Sequence, residues 1–414
     1  MTTKTIHLSS REFLPIMLSP MAGVTTAPFR SLCRSFAMRA LTEENAGAGE
    51  GGFALKDLIE PGIFVDEMVA ARPFAQSNSA MQKHLQFAPE ETFRSMQLYC
   101  LDAHFAYLAA KRAAGSKRVD HIDLNFGCPV KKVTSSGGGS AIPWKIGLYT
   151  DIVKAVQKGA KDGADSAGIQ KLPVSVKFRI GIDDEHVTYM DAGKIASDLG
   201  VHAVTLHART TRDYYSGEAK WEYIAKLREE LPKEVLVFGN GDIWSVEDAA
   251  KMLQQTKADG VAIGRGATGK PWFFYELAKY FTTGRAKRYN PGLDQVVKTA
   301  LEHLRMQISY FNLVSRPNAT LEETTRFAIN DFRTALSLYL KGFRVGSQLK
   351  QQLMLASTYE DVESLLYRLD LTQCYPEAVE GKPRGRTRST KKVYLPSRWL
   401  ESREINTTSQ SALV

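Results

Sequence analysis

The sequence predicts a (β/α)8 TIM barrel followed by a smaller all-helical domain and a basic C-terminal tail. Three observations predict it. Between residues 13 and 270, short β-branched and apolar runs alternate with helix-compatible stretches, the rhythm of a parallel α/β fold. Several of those runs are continuous rather than alternating, as in strands covered on both faces. No Gly-x-Gly-x-x-Gly follows the first run, so an open doubly wound sheet lacks its dinucleotide signature.

The expected strands are Phe13–Ser19, Met38–Thr42, Ser95–Tyr99, His121–Asn125, Val174–Phe178, Ala203–His207, Val235–Gly239 and Gly260–Gly264. Helices are expected at Asp102–Ala114, Tyr149–Lys161, Ala192–Leu199, Trp221–Glu230 and Val246–Leu253. The segment Ala46–Phe93 is long for one connection and is expected to hold an extra helix or lid. Strand signals stop after Pro271. Apolar residues then recur at helical spacing: Leu301, Leu304, Ile308; Phe327, Phe332, Leu336, Leu340; Leu349, Leu353, Val362, Leu365, Leu366, Leu369. Asn290-Pro291, inside Gly284–Gly292, marks a linker. The expected organisation is a catalytic barrel over residues 1–285, a helical domain over 286–375 and a flexible basic tail over 376–414.

Composition narrows the class. The 414 residues carry a net charge of +9, with 43 % hydrophobic and 24 % charged residues, which is ordinary globular usage. No apolar run reaches the ~18 residues of a membrane span. Met1 to Arg11 holds no apolar core of signal-peptide length, so a cytoplasmic location is expected. Cys33, Cys100, Cys128 and Cys374 form no Cys-x-x-Cys pair, so neither a metal site nor a disulfide scaffold is expected. Residues 381–398 hold seven Lys/Arg and no acid, leaving +2 for the remainder. Such a stretch reads as a solvated extension or as a polyanion-binding arm, with nucleic acid favoured over membrane.

Barrel chemistry gathers at the C-terminal ends of the strands. There stand Pro20, Met21 and Ala22; Gln97; Asn125 and Cys128; Lys177 and Arg179; His207 and Arg209; Asn240, Gly241 and Asp242; and Gly264 with Arg265. Glycines after the last two strands let backbone N–H groups approach a phosphate, with Arg265 as its partner. Lys177, His207 and Arg209 are donors directed at one mouth, suited to the negative charge of a reduced flavin. Gln97 and Asn125 suit the amide edge of a flavin or pyrimidine. Cys128 lies between Gly127 and Pro129 just past a strand end, before the glycine-rich Thr134–Gly139 loop, which reads as a mobile cover. A thiol of pKa about 8.5 is largely protonated at neutral pH and can donate a proton; it could equally act as a nucleophile, although His207, on another strand, is not evidently its base. The other three cysteines read as small buried hydrophobes.

PMAGVTTAPFR (20–30), DLNFGCPVKKV (123–133), VKFRIG (176–181), LHARTTRDYYSGEAKW (206–221), VFGNGDI (237–243) and AIGRGATGKPW (262–272) together resemble the tRNA-dihydrouridine synthases. The likeness covers roughly residues 12–370, including DFRTALSLYLKGF (331–343) in the helical part. It implies an FMN-dependent enzyme that uses NADPH to saturate the C5–C6 bond of D-loop uridines in tRNA. The flavin ligands it implies match Pro20, Met21, Ala22, Gln97, Lys177, His207, Asn240, Gly241, Asp242, Gly264 and Arg265, and Asn125 stands with them. The general acid matches Cys128. Arg179, Arg209, Arg326, Arg333, Lys341 and Arg344 are the expected RNA contacts, since residues 326–350 hold five basic side chains against one acid, Asp331. A monomer is expected. A free-pyrimidine flavoenzyme and an RNA-binding protein without chemistry are the competing readings.

Overall fold

A computed structural model describes residues 3–45, 59–78, 85–314, 319–385 and 390–404. Strands β1 (Ile6–Leu8) and β2 (Arg11–Phe13) form an antiparallel hairpin. The barrel strands are β3 (Ile16–Leu18), β4 (Ile63–Ala70), β5 (Ser95–Tyr99), β6 (His121–Phe126), β7 (Val174–Arg179), β8 (Ala203–His207), β9 (Leu236–Asn240) and β10 (Gly260–Ile263). All eight are parallel and sequential, and β10 closes on β3 with Val261 opposite Ile16 and Ile263 opposite Leu18. The continuous apolar character of the strands follows from burial on both sides, by helices outside and packed side chains within. Ile6, Leu8 and Phe13 of the hairpin join Met17, Ile63, Val65, Phe238 and Ala262 in one buried cluster, which plugs the end of the barrel where the strands begin.

Two sequence expectations are corrected. Met38–Thr42 is not a strand; it lies within helix α1 (Ala27–Asn45). Phe29, Leu32, Cys33, Ala37, Ala40 and Leu41 are buried there at three- and four-residue spacing, a helical face that a five-residue apolar window mistakes for a strand. The second barrel strand is instead β4, inside the segment expected to be a lid, followed by the short helix α2 (Ala71–Gln76). Its run IFVDEMVA is interrupted by Asp66 and Glu67, which hides it from an apolar-run search. Asp66 is buried because Arg30 on α1 donates to it, while Arg30 also grips Glu91 through Nε at 2.8 Å and Nη2 at 3.0 Å. Residues 46–58 and 79–84 of that segment lie outside the described residues.

The remaining helices about the barrel are α3 (Ala103–Gly115), α4 (Lys131–Thr134), α5 (Ile146–Ala167), α6 (Tyr189–Asp198), α7 (Glu222–Glu230), α8 (Val246–Thr256) and α9 (Phe273–Thr283). After the helix-free stretch 285–292 come α10 (Leu293–Val314), α11 (Leu321–Tyr339), α12 (Ser347–Leu355) and α13 (Tyr359–Tyr367). They share a second core of Val296, Leu301, Leu304, Phe332, Leu336, Leu353, Val362 and Leu366, into which the barrel inserts Trp272 and Leu32. Phe327, expected in that core, is exposed on α11, and Cys374 is likewise exposed rather than buried. Among the described residues, no helix is long and apolar enough to cross a membrane.

The stretch after Pro376 is fastened rather than free over its described parts. Buried Lys270 bridges Glu276 at 3.1 Å and Glu380 at 2.8 Å. Arg384, 4 % exposed, donates to the carbonyls of Leu338, Thr268 and Gly269. Composition predicts a solvated tail because it counts charges; here carbonyls satisfy Arg384 and the buried Lys270 ammonium meets Glu380. Residues 386–389 and 405–414 lie outside the described part.

Candidate active site

The strand ends form a polar mouth, with Cys128 two residues past the end of β6. Asp123, Gln97 and Asn125 form a buried chain: Ser175 Oγ donates to Asp123, Gln97 Nε2 donates to Asp123 Oδ2 at 2.7 Å, and Asn125 Nδ2 donates to Gln97 Oε1 at 2.8 Å. Burial pushes the Asp123 carboxyl up against the opposing pull of Ser175 and Gln97. Asn125 Oδ1 then accepts the amides of Cys128 at 2.9 Å and Gly127 at 3.2 Å. Arg179 Nε holds the Gly127 carbonyl at 2.8 Å, and the Cys128 carbonyl accepts from both N and Oγ of Ser140 at 3.1 and 3.0 Å. The backbone around Cys128 is thus gripped from three elements. Burial raises the Cys128 thiol above its usual range, partly offset by the Val130 amide, Arg179 and Lys177.

Strand register sets Lys177 beside Asn125 and His207 beside Asn240. Lys177 Nζ donates to Asn240 Oδ1 at 3.2 Å, its one hydrogen bond among the described residues. Asn240 is aimed by its own donation to the Ala262 carbonyl at 2.7 Å. Burial and the neighbouring Arg179 bring the Lys177 ammonium down to about 8. His207 is held well below its ordinary value by burial and by Arg179, Lys177, Arg209 and Arg265, so the ring is neutral. It has no hydrogen-bond partner among the described residues, and its ring lies 6.3 Å from that of Tyr215.

At the other end of the mouth, Gly241 has φ +126° and a Cβ there would stand 2.8 Å from Ala219 Cβ. Asp242 accepts Arg209 Nη2 at 2.7 Å and the Ala219 amide at 2.8 Å, and it reaches Arg265 at 3.5 Å. The Arg265 guanidinium is sandwiched between Tyr215 and Trp244, 4.7 and 4.9 Å from their ring centres. Burial and Arg209 bring it down to about 10. A cavity of about 730 Å³ opens here, lined by Arg209, Tyr215, Trp221, Asp242, Trp244 and Arg265 among others. A Cβ on Gly264 would stand in ordinary van der Waals contact with Met21 Sδ at 3.7 Å and Ser19 Cβ at 3.9 Å. Pro20 and Met21 are half-buried at the rim and Ala22 is exposed, with the Met21 amide donating to Thr25 at 2.9 Å.

The expected RNA contacts divide. Arg179 and Arg209, 3 % and 1 % exposed, turn inward and hold loop carbonyls: Arg179 those of Gly127, Thr210 and Tyr214, Arg209 those of Ser216 and Gly217. Strand-end cations inside a mouth bond to the loops that bury them, and Arg209 also lines the cavity. Arg333 reaches the Ala356 carbonyl, and Lys341 donates to that of Pro383 at 2.5 Å. Arg326 and Arg344 are exposed on the helical part.

Residues 17–378 match the family model described as Dihydrouridine synthase (Dus). The chain belongs to the dihydrouridine synthase family. A "Probable tRNA-dihydrouridine synthase" of Mycobacterium leprae (strain TN) is 41 % identical over 397 residues, spanning 93 % of this chain and 95 % of the relative. The "tRNA-dihydrouridine synthase B" of Pseudomonas syringae pv. tomato is 35 % identical over 291 residues, or 70 % of this chain and 75 % of its own. Among solved structures, histamine dehydrogenase from Rhizobium sp. 4-9 gives a TM-score of 0.42 at 11 % identity over 88 % of this chain and 64 % of its own.

Within this dihydrouridine synthase fold, sequence reading missed Asp123, Tyr99, Tyr215 and Ser140. Asp123 stands inside the DLNFGCP motif, where strand alternation sets it on the same face as Asn125. Burial and the neighbouring Cys128 push the Tyr99 phenol up to about 12. Tyr215, against both Arg265 and His207, had no signal beyond its place in a loop.

Proposed function

We propose that this protein reduces the C5–C6 double bond of D-loop uridines in tRNA, using FMN reduced by NADPH, with Cys128 as the proton donor. The observation that carries the proposal is the pairing, on adjacent strands, of a fixed cysteine with Lys177 and His207, donors that the protein leaves underused. That set fits an anionic flavin: a cation and a neutral imidazole for its pyrimidine edge, and Arg265 beside Gly264, next to the cavity, for its phosphate. When bound, FMN supplies the hydride that adds to uracil C6.

The chain's own residues do the rest. Lys177, aimed by Asn240, brings positive charge to the mouth. Cys128 delivers a proton to C5 of the uracil, which balances the hydride at C6. Burial suits it to that task, because a raised thiol is protonated at neutral pH. The uridine leaves its stack to reach the mouth, at a cost of a few kcal/mol. Exposed Arg326 and Arg344 on the helical part meet tRNA phosphates. We further propose that the protein works as a cytoplasmic monomer.

The test is mass spectrometry of tRNA lacking dihydrouridine, incubated with the purified protein and NADPH beside a Cys128→Ala variant. A gain of two hydrogens mapped to a D-loop uridine, much slower in the variant, is expected. No gain, although NADPH reduces the bound flavin, would overturn tRNA as the substrate.

A further inference from the structure

The glycine-rich loop after Cys128 reads in sequence as a mobile cover, yet it is held between two layers. Below it lies the cysteine: a Cβ on Gly139 would stand 2.6 Å from Cys128 O and 3.2 Å from Cys128 Cβ. Above it lies Trp399: a Cβ on Gly137 would stand 2.6 Å from the Trp399 ring at Cη2. The indole Nε1 donates to the Ala141 carbonyl at 3.2 Å, and Trp399 is buried. Residues 137–141 are therefore one layer thick, with Cys128 on one face and an aromatic ring from 258 residues further along the chain on the other.

That tryptophan belongs to a strap, residues 390–404, which crosses the mouth of the barrel. Its start is tied to the loop after β8, where Lys391 N donates to the Arg212 carbonyl at 3.0 Å and its ammonium sits 4.5 Å over Tyr214. Tyr394 then receives the ammonium of Lys131, the first residue of α4, at 4.2 Å. Its end is tied to the start of α5. Lys145 Nζ donates to the carbonyls of Ser402 and Glu404 at 2.7 and 2.9 Å and lies 5.1 Å over the Trp399 ring. Ile146 N donates to the Arg403 carbonyl at 3.1 Å, and Arg403 pairs with Asp191 at 2.7 Å. Anchors on both sides of Trp399 fix where its ring presses.

We propose that the C-terminal strap is a positioning element for Cys128, acting through Trp399, whose ring clamps the 137–141 layer against the cysteine. The grips from Asn125 and Arg179 fix the backbone before the thiol, whereas Ser140, in the clamped layer, fixes the carbonyl after it. Removing the ring frees that layer to lift, which exposes the thiol and loosens its aim. The catalytic consequence rests on the function proposed above; the exposure of the thiol does not.

The test uses the flavin-loaded full-length protein with Cys374→Ser, since Cys374 is exposed while Cys33 and Cys100 are buried. Alkylation of Cys128 by iodoacetamide, read peptide by peptide, is compared in Trp399→Ala, Trp399→Phe and the parent. Trp399→Ala is expected to alkylate about tenfold faster, because thiol reactivity follows access. It is also expected to lower kcat about 10- to 100-fold with the KM for tRNA within about twofold, since a misplaced group costs rate rather than binding. Trp399→Phe, which keeps a ring against Gly137, recovers most of both. Native alkylation and native kcat in Trp399→Ala overturn the proposal, as does a raised KM with unchanged kcat, which would make the strap a tRNA grip. Should Trp399→Ala fail to fold, Lys145→Met, which releases the strap's end, carries the same two readouts. If the parent protein does not turn over tRNA at all, the function proposal fails and alkylation alone decides whether the clamp exists.

Discussion

Asn125 and Cys128 are joined through the backbone: the Asn125 side-chain oxygen accepts the Cys128 amide at 2.9 Å, while its amide nitrogen donates to Gln97 at 2.8 Å. The thiol's loop is thereby tied, through β6, to the neighbouring strand β5 of the barrel wall. Asn125→Ala severs this tie without removing the thiol. We expect dihydrouridine formation in a single turnover to slow by about 10- to 100-fold, with little change in the KM for tRNA, as for a positional error of an ångström. Asn125→Asp keeps the acceptor and should recover part of the rate. Equal rates in all three would mean that Gly127 and Ser140 contacts suffice.

Two protonated groups at the mouth predict the pH dependence. Burial raises the Cys128 thiol and brings the Lys177 ammonium down to about 8. A cation with a lowered value is charged below it and neutral above it, and an acid donates only while protonated. Turnover is therefore expected to be level from about pH 6.5 to the vicinity of 8 and to decline beyond it. In Lys177→Met the rate should be lower throughout, and the remaining alkaline decline should lie at higher pH, where Cys128 alone titrates. A single-turnover pH–rate profile for both proteins checks this.

Seven of the eight barrel strands were legible because each is an apolar run bounded by turns, and strand ends are where barrel chemistry collects. The exception is informative. The run β4 carries Asp66 in its centre, tolerated only because Arg30, 36 residues earlier, is buried against it; no local pattern encodes a partner so distant. The residues that stand at the strand ends were legible, their contacts less so. Gln97 and Asn125 were read as ligands, whereas the structure engages them chiefly with each other, with Asp123 and with the Cys128 loop. Arg179 and Arg209 stand among the expected RNA contacts because a sequence gives charge, whereas the structure shows them holding loop carbonyls. The C-terminal segment was hidden for the opposite reason: the seven basic residues of 381–398 suggest solvent, while the burial of Arg384 and Trp399 depends on contacts with residues such as Thr268 and Ala141, 116 and 258 positions away.

The Arg30 cluster makes a stability prediction. Arg30 is fully buried and serves Asp66, Glu91 and the Thr25 carbonyl, joining α1 to β4 and to the loop before β5. Arg30→Met leaves two buried carboxyl groups without their cation, and such losses cost about 3–5 kcal/mol. Adding Asp66→Asn and Glu91→Gln should return much of that. Urea unfolding of the single and triple variants measures the difference. A single variant within about 1 kcal/mol of the parent, the usual size for an exposed pair, would mean that the cluster is solvated in solution.

The rim of the mouth beside Cys128 carries Lys131, Lys132 and Lys392, all exposed and none in an ion pair among the described residues. Lys131 and Lys392 both stand over Tyr394 of the strap, at 4.2 and 5.7 Å, so the strap brings a tail lysine next to those of the Cys128 loop. Under the proposed function, a uridine lowered into the mouth would carry its flanking phosphates to this rim. Each phosphate neutralised contributes about 0.7–0.9 to the slope of log K against log salt. Replacing all three lysines by glutamine should therefore reduce that slope for tRNA binding by about 2–3, and weaken binding most at low salt. Filter binding across a salt series measures both. A slope that stays put would locate the phosphate contacts elsewhere, with Arg326 and Arg344 of the helical part the next residues to replace.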